Sequence, residues 1–83
     1  MSDEVPPRLA LRLLSREHCP LCDEFKLALE AWCAGRAELE LETVDIEQDA
    51  GLLERYQWRI PVLVYQDREL CHGHFDPAVM PLN

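Results

Sequence analysis

The sequence predicts a single α/β domain in which a β-α-β unit is followed by a hairpin, giving a four-stranded mixed sheet flanked by helices. Three observations predict it. Leu9, Leu11 and Leu13 alternate with Ala10, Arg12 and Leu14, the period of a strand with at least one buried face. That strand runs directly into a helical pattern, in which Leu21, Phe25, Ala28, Leu29 and Trp32 recur at helical spacing. Further on, Ile60-Pro61-Val62-Leu63-Val64-Tyr65 is a β-branched apolar run, which Glu69-Leu70-Cys71-His72 answers as a returning strand. With 83 residues, the chain has room for one compact core and no second domain.

Each element has its own local reason. Residues 1–7, ending in Val5-Pro6-Pro7, read as a flexible extended leader, because each proline removes a donor and restricts its predecessor. The domain itself is expected over residues 8–83. The first helix is predicted from Leu21 to Ala34, with Asp23, Glu24, Lys26 and Glu30 on its wet side and Gly35 as its stop. Leu39, Leu41 and Val44-Asp45-Ile46 form a second strand, with Glu40 and Glu42 facing outward. The β-α-β unit so formed should be parallel with a right-handed crossover.

Asp49 caps a short helix bearing Leu52, Leu53 and Tyr56, which Gly51 weakens by up to about 1 kcal/mol relative to alanine. The hairpin turns at Gln66-Asp67-Arg68. Asp76-Pro77 offers an N-cap and a compatible first residue for a closing helix, which Pro81 cuts short. Phe25, Trp32, Trp58 and Phe75 are expected in the core or at its rim, and Trp58 is also a candidate for the wall of a substrate groove.

Composition removes several function classes. Hydrophobic residues are 48% and charged residues 29%, as in ordinary globular domains. The formal charge is −8, and Glu38 to Glu54 contains no Lys or Arg, so the surface repels phosphate backbones and a nucleic-acid partner is not expected. No apolar stretch approaches the roughly 18 residues of a spanning helix, and Met1-Ser2-Asp3-Glu4 is acidic rather than signal-like. No membrane association and a cytoplasmic location are the expectations. Four cysteines without a secretory signal favour thiols that rest reduced, with Cys33 and Cys71 buried as small apolar residues. Glycine-rich phosphate loops are absent, and Ser15 and Thr43 belong to no hydrolase set.

Cys19-Pro20-Leu21-Cys22 carries the chemistry. Two thiols at this spacing suit an exchange in which the first thiolate attacks a disulfide and the second releases the product. At a helix start, unpaired N–H groups and the positive end of the dipole favour the thiolate of the first cysteine. Cys19, just before the helix, is accordingly the predicted nucleophile. Cys22, inside the first turn, is the predicted resolving thiol. Arg16 and protonated His18 would assist the thiolate while Glu17, Asp23 and Glu24 oppose it, so His18 is a candidate for tuning the Cys19 pKa.

Strand, Cys-x-x-Cys helix, strand, helix, then Ile-Pro opening a hairpin: in this order the chain resembles a small glutaredoxin-like protein of the thioredoxin-fold superfamily. The resemblance rests on Arg16-Glu17-His18-Cys19-Pro20-Leu21-Cys22 and on Arg59-Ile60-Pro61-Val62, and covers about Leu9 to Asp76. It implies a sheet ordered 2-1-3-4 and a cis Pro61 beside the dithiol, with Ile60 offering its backbone N–H and C=O to substrate. It also implies that Arg16 helps hold a glutathione carboxylate and that Asp76 receives an amine. The family's Gly-Gly ahead of that Asp is here His72-Gly73-His74-Phe75-Asp76, with His72 in place of the first glycine.

The resulting expectation is a thiol–disulfide oxidoreductase, monomeric or weakly dimeric, acting on a disulfide-containing protein or small molecule. It needs no prosthetic group and no metal, and glutathione or a reductase would reset the dithiol. Two alternatives stand beside it. One is a thioredoxin-fold binding module whose dithiol turns over little; the other is a zinc module in which Cys19 and Cys22 join a ligand from Cys71-His72-Gly73-His74.

Overall fold

The computed structural model describes residues 9–81; the predicted leader, residues 1–7, lies outside the described residues. The order of elements is β1 (Leu9–Ser15), α1 (Pro20–Cys33), β2 (Leu39–Asp45), a 3-10 turn (Ile46–Gln48), α2 (Ala50–Tyr56), β3 (Val62–Tyr65), β4 (Arg68–His72) and a second 3-10 turn (Pro77–Val79). The four strands form one sheet in the order β2-β1-β3-β4. β1 pairs parallel to β2 and antiparallel to β3, and β3 pairs antiparallel to β4. The sheet is therefore mixed, as a β-α-β unit followed by a hairpin requires.

β1 lies between β2 and β3, so both its edges are paired, and it sends buried leucines to both faces although Ala10 and Arg12 are exposed. Leu11 and Leu13 face one way, where α1 covers them with Phe25 and Leu29, and Leu63 and Met80 complete that cluster. Leu14 faces the other way, against Ile46, Tyr56 and Val62. Alternation along one strand thus divides the core into two layers, one on each side of the sheet. Within α1 the buried stripe is Cys22, Phe25 and Leu29. Ala28, predicted on that stripe, is exposed, as is Leu27. Positions 25 and 29 stack one above the other on the helix, which turns position 28 toward its edge.

Local chemistry sets the helix ends. Asp49 caps α2, its carboxylate accepting from the N–H groups of Gly51 and Leu52 at 2.9 and 3.1 Å. α1 ends where Ala34 leaves helical geometry, and Gly35 takes a left-handed φ of 81°. The hairpin is tighter than predicted: Gln66 and Asp67 alone make the turn, at φ 53° and 64°, and Arg68 already belongs to β4. Two successive left-handed residues match the twist of the flanking strands. β3 begins at Val62 rather than Ile60.

The closing helix shrinks to a single 3-10 turn. Asp76 caps it through the Ala78 N–H at 3.0 Å, with Pro77 in the first position. Met80 leaves helical geometry at ψ 148° because it precedes Pro81, whose ring disfavours the α region for its predecessor. Its side chain nevertheless enters the first core layer, 3% exposed.

A packing contrast checks this architecture. Leu13 is fully enclosed, whereas Leu27 is 68% exposed. Leu13→Ala should cost about 2–5 kcal/mol in chemical denaturation, which threatens folding altogether for a domain of this size. Leu27→Ala should stay within about 0.5 kcal/mol of the parent.

Candidate active site

The residues that sequence reasoning singled out arrive at one end of the sheet. β1 runs toward that end and delivers Arg16 to Cys19. β2 runs parallel to it and finishes beside it, with Asp45 opposite Ser15. β3 starts there, with Val62 opposite Leu14, and β4 finishes there, with His72 opposite Val62. The connection through α2 therefore starts and ends at the same edge of the fold.

Between β1 and α1 the chain makes a sharp step. His18 is left-handed, at φ 59°, and the next residue, Cys19, is the extended N-cap of α1. Its Sγ accepts the backbone N–H of Cys22 at 3.1 Å, and its carbonyl accepts the Asp23 N–H at 3.0 Å. Pro20 occupies the first helical position, where the missing N–H costs no hydrogen bond. The sulfurs of Cys19 and Cys22 lie 2.29 Å apart, close to disulfide distance, and the Cα atoms are separated by 5.1 Å. Cys19 is partly exposed and Cys22 is 3% exposed. The Cys19 side is thus the more accessible of the two.

The Ile60–Pro61 peptide bond is cis, and Pro61 is fully buried. The Pro61 carbonyl accepts the Gly73 N–H at 2.8 Å, which ties this segment to the loop after β4. The backbone of Ile60 is only half available. Its N–H donates to the Tyr56 carbonyl at 3.2 Å, which also takes the Arg59 N–H at 2.8 Å, while the Ile60 carbonyl has no partner among the described residues. Resemblance implied that both groups face a substrate. The short α2 ends so close to β3 that its last carbonyl captures the Ile60 N–H first.

The residues implied in holding glutathione have partners within the chain. The Arg16 guanidinium is hydrogen-bonded to the Glu47 carboxylate in the turn after β2. Asp76 spends one carboxylate oxygen on its cap. Glu47 was not singled out from sequence, because its place follows from the register of β1 and β2, which extended beyond Ser15 and Asp45 brings residues 46 and 47 beside Arg16. His18, His72 and His74 are all exposed.

The aromatic residues divide. Phe25 and Phe75 meet edge to face at 5.8 Å, and Trp32 meets Phe75 in the same way at 6.4 Å. Trp58 does not join them: expected in the core or at its rim, it is 89% exposed. It lies in the tight turn between Tyr56 and Arg59, beyond the buried stripe of α2.

Cys33 and Cys71 are half-buried against the first core layer rather than fully enclosed. Burial pushes the Cys33 thiol above its ordinary pKa, with the Arg36 charge working against it and Glu30 with it. Cys71 is pushed the same way by burial, opposed by a hydrogen bond from the Asp76 backbone N–H and reinforced by the Asp76 charge. Among the described residues no group of three or more His, Cys, Asp or Glu side chains could hold a metal ion. The zinc arrangement of Cys19 and Cys22 with Cys71, His72 or His74 is therefore not assembled.

A cleft of about 250 Å³ reaches Cys22 between Arg16, Asp23, Lys26 and Asp45. Larger clefts, near 280 and 360 Å³, lie away from the dithiol. Of these three clefts among the described residues, only the first touches the Cys19–Cys22 pair. No helix among the described residues is long and apolar enough to cross a membrane.

None of the curated proteins compared matches the chain. Protein Ne2328 from Nitrosomonas europaea, solved by solution NMR, is 36% identical over 95% of this chain and 93% of its own, with a TM-score of 0.74. The germline-specific thioredoxin Deadhead of Drosophila melanogaster aligns with a TM-score of 0.55 at 21% identity, over 81% of this chain and 68% of its own. Fasciola hepatica thioredoxin aligns at 0.53 and 20% identity, over 78% and 65%. At such identities the two thioredoxins show a shared fold. Residues 10–80 match the family described as "Glutaredoxin-like domain (DUF836)". On that match and on the likeness to Ne2328, the chain belongs to this glutaredoxin-like family.

Proposed function

We propose that the protein is a thiol–disulfide oxidoreductase in which Cys19 is the nucleophile and Cys22 the resolving thiol. The observation that carries this reading is the position of Cys19 as N-cap of α1, with the Cys22 amide directed at its sulfur. A donated N–H and the helix N-terminus both favour a charged sulfur over a neutral one. Unequal burial supports the order: the partly exposed Cys19 meets substrate, and the enclosed Cys22 acts only after Cys19 has reacted.

In the reductive direction the Cys19 thiolate bonds to one sulfur of a substrate disulfide as that disulfide breaks, and the other substrate sulfur leaves as a thiolate and is protonated. Cys22 then loses its proton and attacks the Cys19 Sγ. The Cys19–Cys22 bond forms, the mixed disulfide breaks, and the second substrate sulfur departs as a thiolate. Two electrons have passed to the substrate. A cellular thiol or dithiol reductase returns them, which suits a reducing compartment such as the cytoplasm. Ile60, through its unpartnered carbonyl, and Pro61 form the substrate wall of this reading. Glutathione as the reductant draws support from Arg16 and Asp76 alone, and both already have partners in the chain.

Cys33 and Cys71 take no part. Burial holds both above the ordinary thiol range, so they remain protonated and weakly nucleophilic at neutral pH.

Purified protein should reduce a small uncharged disulfide with turnover when supplied with a thiol donor. Cys19→Ser should lower the rate to background, while Cys22→Ser should accumulate a mixed disulfide on Cys19, seen by mass spectrometry. A wild-type protein inert toward every disulfide and donor would refute the proposal. A second measurement concerns pH. In the fully reduced protein, iodoacetamide should modify Cys19 first at pH 7. Labelling of Cys33 and Cys71 should lag behind that of the unfolded chain and rise only as the pH passes the ordinary thiol range, because the raised pKa delays their thiolates.

A further inference from the structure

The two tryptophans are treated differently by the fold. Trp32 packs its ring on Phe75 and carries the Arg36 guanidinium 3.9 Å from its ring centroid. Trp58 is 89% exposed. Neither neighbouring cation covers it, since Arg59 is paired with Glu69 and Arg55 lies over the Tyr56 ring at 5.4 Å. The turn beneath Trp58 is closed by the Arg59 and Ile60 N–H groups on the Tyr56 carbonyl, so the backbone holds the indole outward. The exposed ring stands three residues before Pro61, at the end of the sheet where the dithiol lies.

The charge around this end is lopsided. The chain carries −8 overall. Glu17, Asp23 and Glu24 are exposed beside the dithiol, and none of them has an ion-pair partner among the described residues. Arg16 is offset by Glu47, which leaves Lys26 as the local cation without a carboxylate partner. An open π face on a chain of net charge −8 attracts cations on both counts, and guanidinium stacks well on indole.

We propose that Trp58 is a docking residue for substrate and that the substrate is a polypeptide disulfide with an Arg or Lys close to the reacting cysteine. The cation stacks on the indole while an N–H of the extended substrate segment donates to the unpartnered Ile60 carbonyl. This rests on the exchange chemistry proposed above and names the class of disulfide on which it acts. A small anionic disulfide gains neither contact and meets the acidic rim.

The test compares two synthetic peptide disulfides of one sequence, differing only in Arg or Glu two residues from the cysteine, alongside a small uncharged disulfide. The wild-type protein should show a kcat/KM for the Arg peptide roughly 2- to 30-fold above that for the Glu peptide, expressed mainly in KM. The ratio should shrink as salt is raised from low to physiological strength. Trp58→Ala should bring the ratio near the residual set by net charge, and Trp58→Phe should restore part of the difference. Turnover of the uncharged disulfide with equal rates for the two peptides, or a ratio that Trp58→Ala leaves intact, would overturn the docking proposal while leaving the exchange reading in place. Inactivity toward all three disulfides would overturn both.

Discussion

The placement of every group at the candidate site depends on β1 being paired along both edges and anchored by buried leucines on both faces. Leu11 and Leu13 lock it against α1, Leu14 locks it against the layer around Tyr56, and the ladders to β2 and β3 fix its height in the sheet. A slip of one residue would drive Arg12 into the first core layer and the leucines out of it, so the register has little freedom. The same strand runs straight into the loop that carries Cys19. Its register therefore also decides what lies beside that cysteine: the end of β2 on one side, the start of β3 and the end of β4 on the other.

At the helix start, structure and reactivity share their cause. An α-helix begins with N–H groups that lack internal partners, and most proteins cap them with oxygen. Here the cap is a sulfur. The contact that caps the helix also donates an N–H to the Cys19 sulfur, which in the proposed reading favours its charged form, while the turn it closes buries Cys22. The surroundings add little positive charge to this effect, because Arg16 is tied to Glu47 and the nearby exposed side chains are largely acidic.

Much of the fold was legible from short-range patterns. The four strands, both helices, the Asp49 and Asp76 caps and the stop at Gly35 each follow from residues within a few positions of one another. The shortened closing helix was legible as well, since Asp76-Pro77 initiates helical geometry and Pro81 pulls Met80 out of it within one turn. Ala28 and Trp58 were misjudged. Apolar character predicted burial, whereas orientation on the helix edge and a tight turn after α2 decided exposure.

The sequence alone determined the chemistry on offer: two thiols at helical spacing, a proline able to be cis, and an acidic surface. These are properties of residue types and of their near neighbours. Only the tertiary structure decided what remains available at the site. Arg16 meets Glu47 across 31 positions of sequence, and the Ile60 N–H is taken by a carbonyl at the end of a helix whose length had to be known first. Trp58 is left open because the cations around it found other partners. Such outcomes arise from competition in space among groups distant in the chain, and local propensity carries no term for that competition.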